Sequence, residues 1–122
     1  MSSDILIVDD NDDLRETLQM LLEQSGFSVS VAANGRMALE QLRAGARPGL
    51  IMLDLMMPDM NGWELLELVR RDGSLGSIPI VVMTAHKSPD LPLVAPEDLL
   101  HKPFDAAKVL AAVARHVRRK GT

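Results

Sequence analysis

Short, wholly apolar runs that end at polar residues constrain the fold of this chain more than any other feature. The clearest run is Ile5–Val8, which stops at the acidic pair Asp9 and Asp10. A run without polar alternation is typical of a strand covered on both faces, as the strands of parallel sheets are. Stretches with apolar residues at helical spacing separate these runs. The alternation of the two patterns predicts an α/β protein built from repeated βα units on a doubly wound parallel sheet.

The same periodicities predict five strands and four clear helices in one domain over residues 1–122. Residues 27–31 alternate apolar residues with serine, which indicates a half-exposed strand at an edge of the sheet. Asparagine, aspartate and glycine mark the helix ends as caps and stops. The predicted elements are strand 5–8, a helix from Asn11 or Asp12 to Gly26, strand 27–31, helix 35–44, strand 50–53, helix 63–69, strand 78–83, strand 99–101 and a helix capped by Asp105 that reaches Val117.

The segment between Thr84 and Leu99 departs from the helical pattern. It contains Pro89, Pro92 and Pro96. Each proline removes a backbone N–H and clashes with the preceding turn of a helix. We therefore expect a shortened or irregular fourth helix between the fourth and fifth strands.

Composition and charge exclude several classes of protein. The chain has no cysteine, and so no disulfide, thiolate metal site or thiol nucleophile. Its formal net charge of −4 differs from the basic balance of domains that bind nucleic acid through phosphate contacts. The N-terminus lacks the pattern of a signal peptide or a membrane span. We expect a cytoplasmic domain that contacts neither nucleic acid nor membranes.

Five polar residues follow four of the predicted strands directly. Asp9 and Asp10 follow the first, Asp54 the third, Thr84 the fourth and Lys102 the fifth. In an open parallel sheet, ligands bind outside the carboxyl ends of the strands, so these side chains are expected in one cleft. Three carboxylates there call for a cation, and Mg²⁺ suits oxygen donors combined with phosphate. The set predicts a phosphoryl-transfer site, with the remaining carboxylate as nucleophile.

Each of these residues also has an ordinary structural explanation. Acidic residues are favoured at helix N-termini, which would account for Asp9 and Asp10. Asp54 would serve as a turn residue before Pro58, Thr84 would merely end a strand, and Lys102 would merely cap an edge of the sheet. The joint placement at neighbouring strand ends favours the functional interpretation.

Four short motifs occur in order over nearly the whole chain. They are Val8-Asp9-Asp10-Asn11, the stretch from Asp54 to Gly62, Met83-Thr84-Ala85 and Lys102-Pro103-Phe104. With these motifs the chain resembles the CheY-like receiver domains of two-component response regulators. The resemblance implies a flavodoxin-like strand order of 2-1-3-4-5. It also implies a phosphoryl group transferred to Asp54 from a sensor histidine kinase or a phosphotransfer protein, and a downstream protein target.

The resemblance assigns roles to the site residues. Asp10 would contact Mg²⁺ directly and Asp9 mainly through water, with Asp54 and the backbone carbonyl of Met56 as further ligands. Lys102 would pair with the phosphoryl oxygens, and Lys102-Pro103 would be a cis peptide. Thr84 would move toward the phosphoryl group and so bias a two-state surface. Such a domain is not a conventional enzyme, although it catalyses its own phosphorylation and dephosphorylation.

Two departures from the family pattern concern the consequences of phosphorylation. Leu99 stands where the family has an aromatic residue whose rotation follows the threonine. Met56 and His86 stand at the positions that line the path of an attacking water. An apolar Met56 cannot hydrogen-bond that water, so slow self-dephosphorylation is expected.

Two other functions stay open at this point. The first is a phosphorylation-independent protein-interaction module on the same fold, which Leu99 and the prolines favour. The second is a flavodoxin-like cofactor binder, which the scarcity of aromatic residues disfavours, since Trp63, Phe27 and Phe104 are all that the chain contains.

We predict that the domain stays monomeric on phosphorylation, because the irregular fourth helix belongs to the face through which the family usually dimerises. Analytical ultracentrifugation with and without a phosphodonor measures this. A clear dimer of the phosphorylated protein would contradict the prediction.

Overall fold

Strands and helices alternate along the residues that the structure, a computed structural model, describes, namely 3–55, 62–85, 98–103 and 105–117. Helices are numbered within these ranges. The elements in chain order are β1 (Ile5–Val8), α1 (Asp12–Gln24), β2 (Val29–Ala32), α2 (Gly35–Arg43), β3 (Leu50–Asp54), α3 (Gly62–Arg71), β4 (Ile80–Thr84), β5 (Leu99–His101) and α4 (Ala106–Ala114).

The five strands form one parallel sheet in the order β2-β1-β3-β4-β5. This confirms both the predicted fold class and the strand order 2-1-3-4-5. The strands β1, β3 and β4 are buried along their whole length, as their unbroken apolar runs predict. The edge strand β2 is only partly buried, in agreement with its alternating serines.

Side chains of the central strands alternate between two cores, one on each face of the sheet. Ile5 and Ile7 pack in a cluster with residues of α1 and α4. Leu6 and Val8 pack in a second cluster with residues of α2 and α3. Because successive side chains of a strand point to opposite faces, an all-apolar strand supplies both cores at once. The doubly wound arrangement follows directly from that.

The caps of the helices agree with the capping residues in the sequence, although α4 ends at Ala114 and not at Val117 as predicted. The Asn11 side chain accepts a hydrogen bond from the Leu14 N–H at 3.0 Å and begins α1, and Gly26 follows that helix with φ of 98°. Asp105 caps α4 in the same way through the Lys108 N–H, at 2.9 Å. In the described ranges, no helix has both the length and the apolar content needed to cross a membrane.

The fourth strand begins later than the apolar run 78–83 predicts. It starts at Ile80, because Pro79 has no N–H to donate to a ladder. Ile78 belongs to the preceding turn, where its N–H donates to the Leu75 carbonyl and its own carbonyl accepts from Arg70. The prediction of a strand from residue 78 was therefore wrong by two residues.

Trp63 lies in the first turn of α3, at the surface of the protein. Its exposed fraction is 37%, whereas Leu66 is buried. The indole is thus exposed and lies outside both cores. The proline-containing segment 89–96, and with it the predicted irregular helix, lies outside the described residues, as do Met56, His86 and Phe104.

We predict that Leu22→Ala lowers the free energy of unfolding by about 2–5 kcal/mol, because it leaves a cavity under α1. Leu22 is fully buried there. Urea denaturation followed by circular dichroism measures the change. The control is Met20→Ala on the same helix, where the side chain is 61% exposed, and its effect should stay within about 0.5 kcal/mol. Equal losses in the two variants would contradict the assigned orientation of α1.

Candidate functional site

Three carboxylates meet at the carboxyl edge of the sheet. One oxygen from each of Asp9, Asp10 and Asp54 lies within 4.8 Å of the other two. Asp9 is fully buried and Asp54 is 3% exposed, while Asp10 is exposed. This is the proximity that the strand ends predict. The three side chains form an acidic cluster with one open side.

Strand register explains why Asp9 and Asp54 lie side by side. They directly follow Val8 and Leu53, which pair across β1 and β3. Both also continue the alternation that places Ile7 on the α1 and α4 face of the sheet. Neighbouring positions on one face leave their carboxylates only a few ångströms apart.

Lys102 lies between these two carboxylates. Its Nζ is 3.3 Å from Asp9 Oδ2 and 3.4 Å from Asp54 Oδ2, and the side chain is 25% exposed. The Lys102 backbone N–H donates to the Thr84 carbonyl at 2.7 Å, which ties the end of β5 to the end of β4. The peptide between Lys102 and Pro103 is cis, as the family resemblance implies. The ammonium group of Lys102 therefore lies at the acidic cluster.

Charge balance at this edge favours a further cation. Three carboxylates and one ammonium leave a formal charge of −2. Two like charges about 4 Å apart repel by about 4 kcal/mol at an effective dielectric constant of about 20. Oxygen donors without imidazole or thiolate suit a hard ion such as Mg²⁺. The donor set therefore fits a magnesium ion. Met56, whose carbonyl was expected as a further ligand, lies outside the described residues.

Every polar group of Asp9 has a partner. Its N–H donates to the Ala32 carbonyl at 3.2 Å, and its Oδ1 accepts from the Asn11 N–H at 2.9 Å. Its Oδ2 faces Lys102, and its carbonyl accepts from Arg15 Nη1 at 2.9 Å. Asp9 is held in one orientation by residues from four different positions. Arg15 is not among the site residues predicted from the sequence. Its guanidinium reaches the Asp9 carbonyl only because α1 packs beside β1.

Thr84 ends β4 and is fully buried. Its backbone is fixed by the hydrogen bond from Lys102 and by pairing with His101 across the β4–β5 ladder. The alternation along β4 places it on the face of Ile80 and Val82, opposite to the face that Asp54 continues. The alternation therefore places Thr84 on the α2 and α3 side of the sheet, at the strand end next to that of Asp54.

Gly62 is a second residue whose role the sequence does not reveal. It begins α3, and its N–H donates to the Leu55 carbonyl at 3.1 Å. A Cβ at this position would lie 2.5 Å from Leu55 Cα and still closer to the Asp54 carbonyl oxygen. Only glycine allows the start of α3 to press against the backbone that carries Asp54.

Comparison with known proteins agrees with this geometry. Residues 5–114 match the family model described as the response regulator receiver domain. The DNA-binding response regulator MtrA of Mycobacterium tuberculosis is 36% identical over 98% of this chain and 52% of its own length. The chain spans about half the length of the curated relatives that it matches first.

Solved structures with the same fold are also similar. The chemotaxis protein CheY4 of Vibrio cholerae aligns with a TM-score of 0.82 at 30% identity, over 96% of this chain and 100% of that one. The receiver domain of a signal transduction histidine kinase from Syntrophus aciditrophicus aligns with a TM-score of 0.84 at 31% identity, over 93% of this chain and 89% of that one.

We predict that Gly62→Ala lowers the free energy of unfolding by about 1–3 kcal/mol, because its methyl group would overlap rigid backbone. The control is Gly73→Ala, where a Cβ meets nothing within 4 Å, and its effect should stay within about 1 kcal/mol. Urea denaturation of both variants measures the difference. If Gly62→Ala were as stable as wild type, the close approach of α3 to Asp54 would be refuted.

Proposed function

The chain belongs to the response regulator receiver domain family, and we propose that it is a phosphorylation-controlled signalling switch in which Asp54 accepts a phosphoryl group. The observation that carries this proposal is the contact of the nearly buried Asp54 carboxylate with Lys102, beside Asp9 and Asp10. A nucleophilic carboxylate needs an open side from which the phosphorus atom can approach, and positive charge near the phosphoryl oxygens. The open side of the acidic cluster and the Lys102 ammonium meet these two needs.

Receiver domains bind Mg²⁺ at an acidic pocket, and we assign that pocket here to Asp9, Asp10 and Asp54, with the Met56 carbonyl as a further ligand. The proximity of the three carboxylates supports the assignment. When bound, the ion supplies positive charge that offsets the phosphoryl oxygens during transfer. Asp10, the exposed member, lies on the open side of the cluster.

The transfer step uses the carboxylate of Asp54 as nucleophile. One carboxylate oxygen attacks the phosphorus of a phosphohistidine, a P–O bond forms, and the P–N bond breaks with its electron pair passing to the imidazole nitrogen. Lys102, already within 3.4 Å of Asp54, holds the phosphoryl oxygens by charge-assisted hydrogen bonds. Hydrolysis, in which water attacks the same phosphorus, releases inorganic phosphate and restores the carboxylate.

An open pocket beside the cluster supports an approach by a protein donor. It has a volume of about 440 Å³ and is lined by Leu14, Ala85 and Pro103, with Asn11 and Lys102 at its polar side. We propose that a sensor histidine kinase or a phosphotransfer protein delivers the phosphoryl group from this side, in the cytoplasm. The downstream target is a protein, and we assign no nucleic-acid contact to this domain, in keeping with its net charge of −4.

The output of the switch starts at Thr84. This buried residue is tied through its carbonyl to Lys102. A shift of Lys102 toward a phosphoryl group therefore pulls on the end of β4. Leu99, partly buried against the α2 and α3 core, replaces the family's aromatic residue. The response is transmitted without that ring.

We predict that Asp54→Asn abolishes covalent labelling by acetyl phosphate with Mg²⁺, because an amide is not a competent nucleophile. Intact-protein mass spectrometry measures the label. The control is Asp13→Asn, which removes the same charge from an exposed position of α1 and should label like wild type.

Beryllofluoride with Mg²⁺ provides an independent test by NMR. Resonances of Thr84 and Lys102 should shift in wild type and not in Asp54→Asn. Equal labelling of Asp54→Asn and wild type would place the phosphoryl group elsewhere. Absence of both the label and the shifts in wild type would favour the phosphorylation-independent interaction module instead.

A further inference from the structure

We propose that Arg15 is a positioning residue that orients Asp10 toward the divalent cation by holding the peptide between Asp9 and Asp10. The inference rests on the proposed function of the acidic cluster. It assigns to α1 a part in the metal site that none of the five strand-end residues supplies.

The guanidinium of Arg15 makes two contacts with different atoms of the loop after β1. Nη1 donates to the Asp9 carbonyl oxygen at 2.9 Å in a part-buried hydrogen bond. Nη2 pairs with Oδ1 of Asp12, and the Arg15 side chain is only 16% exposed. Arginine meets both acceptors because its nitrogens form a rigid planar fork, which the single ammonium of lysine cannot reproduce.

The hydrogen bond to Asp9 bears on Asp10 through the planarity of the peptide group. The Asp9 carbonyl lies in one plane with the nitrogen and Cα of Asp10. Fixing that oxygen therefore fixes the rotation of the plane and the position from which the Asp10 side chain leaves the backbone. On the other side of Asp10, the Asn11 N–H is fixed by Asp9 Oδ1 at 2.9 Å.

Asp10 itself depends on this backbone support. It is the exposed member of the cluster, and within the described residues no hydrogen bond or ion pair holds its carboxylate. Asp9, by contrast, is held through both of its carboxylate oxygens. The Asp9–Asp10 peptide, which Arg15 holds, thus sets the point from which the Asp10 side chain leaves the backbone.

The ion pair with Asp12 does not account for the placement of Arg15. Asp12 is 76% exposed, and exposed pairs of this kind contribute only about 0–1 kcal/mol. A hydrogen bond from a cationic donor to a part-buried carbonyl is the stronger contact. The bond to the Asp9 carbonyl is therefore the contact through which Arg15 acts on the site.

The experiment measures Mg²⁺ affinity from the NMR shifts of the Asp10 and Asn11 amides, together with stability in urea. Arg15→Met keeps the aliphatic stem and removes both donors, and we expect its Mg²⁺ affinity to fall about 10-fold or more, as for other partners that orient metal ligands. Arg15→Lys keeps one donor and should lie between Arg15→Met and wild type.

Two controls separate positioning from charge and from the ion pair. Arg43→Ala removes the same charge from an exposed position at the far end of α2. Asp12→Ala breaks only the exposed ion pair. Both should bind Mg²⁺ within about twofold of wild type, because Arg43 lies far from the cluster and the charge of Asp12, whose side chain is 76% exposed, is screened by solvent.

Wild-type affinity in Arg15→Met, with or without a loss of stability, would overturn the proposal and leave Arg15 a structural residue. The proposed function would survive that result if wild type binds Mg²⁺ and Asp10→Asn does not. Failure of wild type itself to bind Mg²⁺ would overturn both. If Arg15→Met does not fold, Arg15→Lys decides, because wild-type affinity there refutes the need for a two-pronged donor.

Discussion

Two buried carboxylates, Asp9 and Asp54, lie side by side at the ends of the central strands, and the rest of the site depends on how their repulsion is offset. Lys102 contacts both, from the end of β5. That contact requires β4 and β5 to continue the sheet in the same direction, so that the cation arrives at the same edge as the acids. The remaining negative charge favours the binding of a divalent cation. The charge balance of the site therefore depends on the strand order of the sheet.

Much of this arrangement follows from sequence periodicity. Unbroken apolar runs identify buried parallel strands, and the polar residue after each run falls at the common edge, which is why Asp9, Asp10, Asp54 and Lys102 could be placed together. The exact start of β4 could not be predicted, because Ile78 is as apolar as a strand residue. Only the missing N–H donor of Pro79 excludes Ile78 from the strand.

Contacts between side chains of different elements could not be predicted from the sequence either. Arg15 reads as an ordinary polar residue of a helix, and its bond to the Asp9 carbonyl exists only once α1 packs beside β1. The ring nitrogen of His116 lies 2.7 Å from Asp98, which also pairs with Arg115, and no sequence spacing links Asp98 to these two residues. Such contacts depend on three-dimensional packing, and no local pattern signals them. Their shared property is that a long polar side chain reaches backbone or carboxylate from another element.

The strands that carry the site differ in burial between the centre and the edge of the sheet. β1 and β3 are fully buried between neighbours on both sides, whereas β5 is a three-residue edge strand whose last residue is exposed. Local opening costs least where few buried contacts resist it. Amide hydrogen exchange in β5 should therefore be faster than in β3. Lys102, the cation of the site, thus follows a short edge strand, whereas Asp54 ends a fully buried central strand, so that a local opening of β5 would separate the two charges while β1 and β3 stay paired.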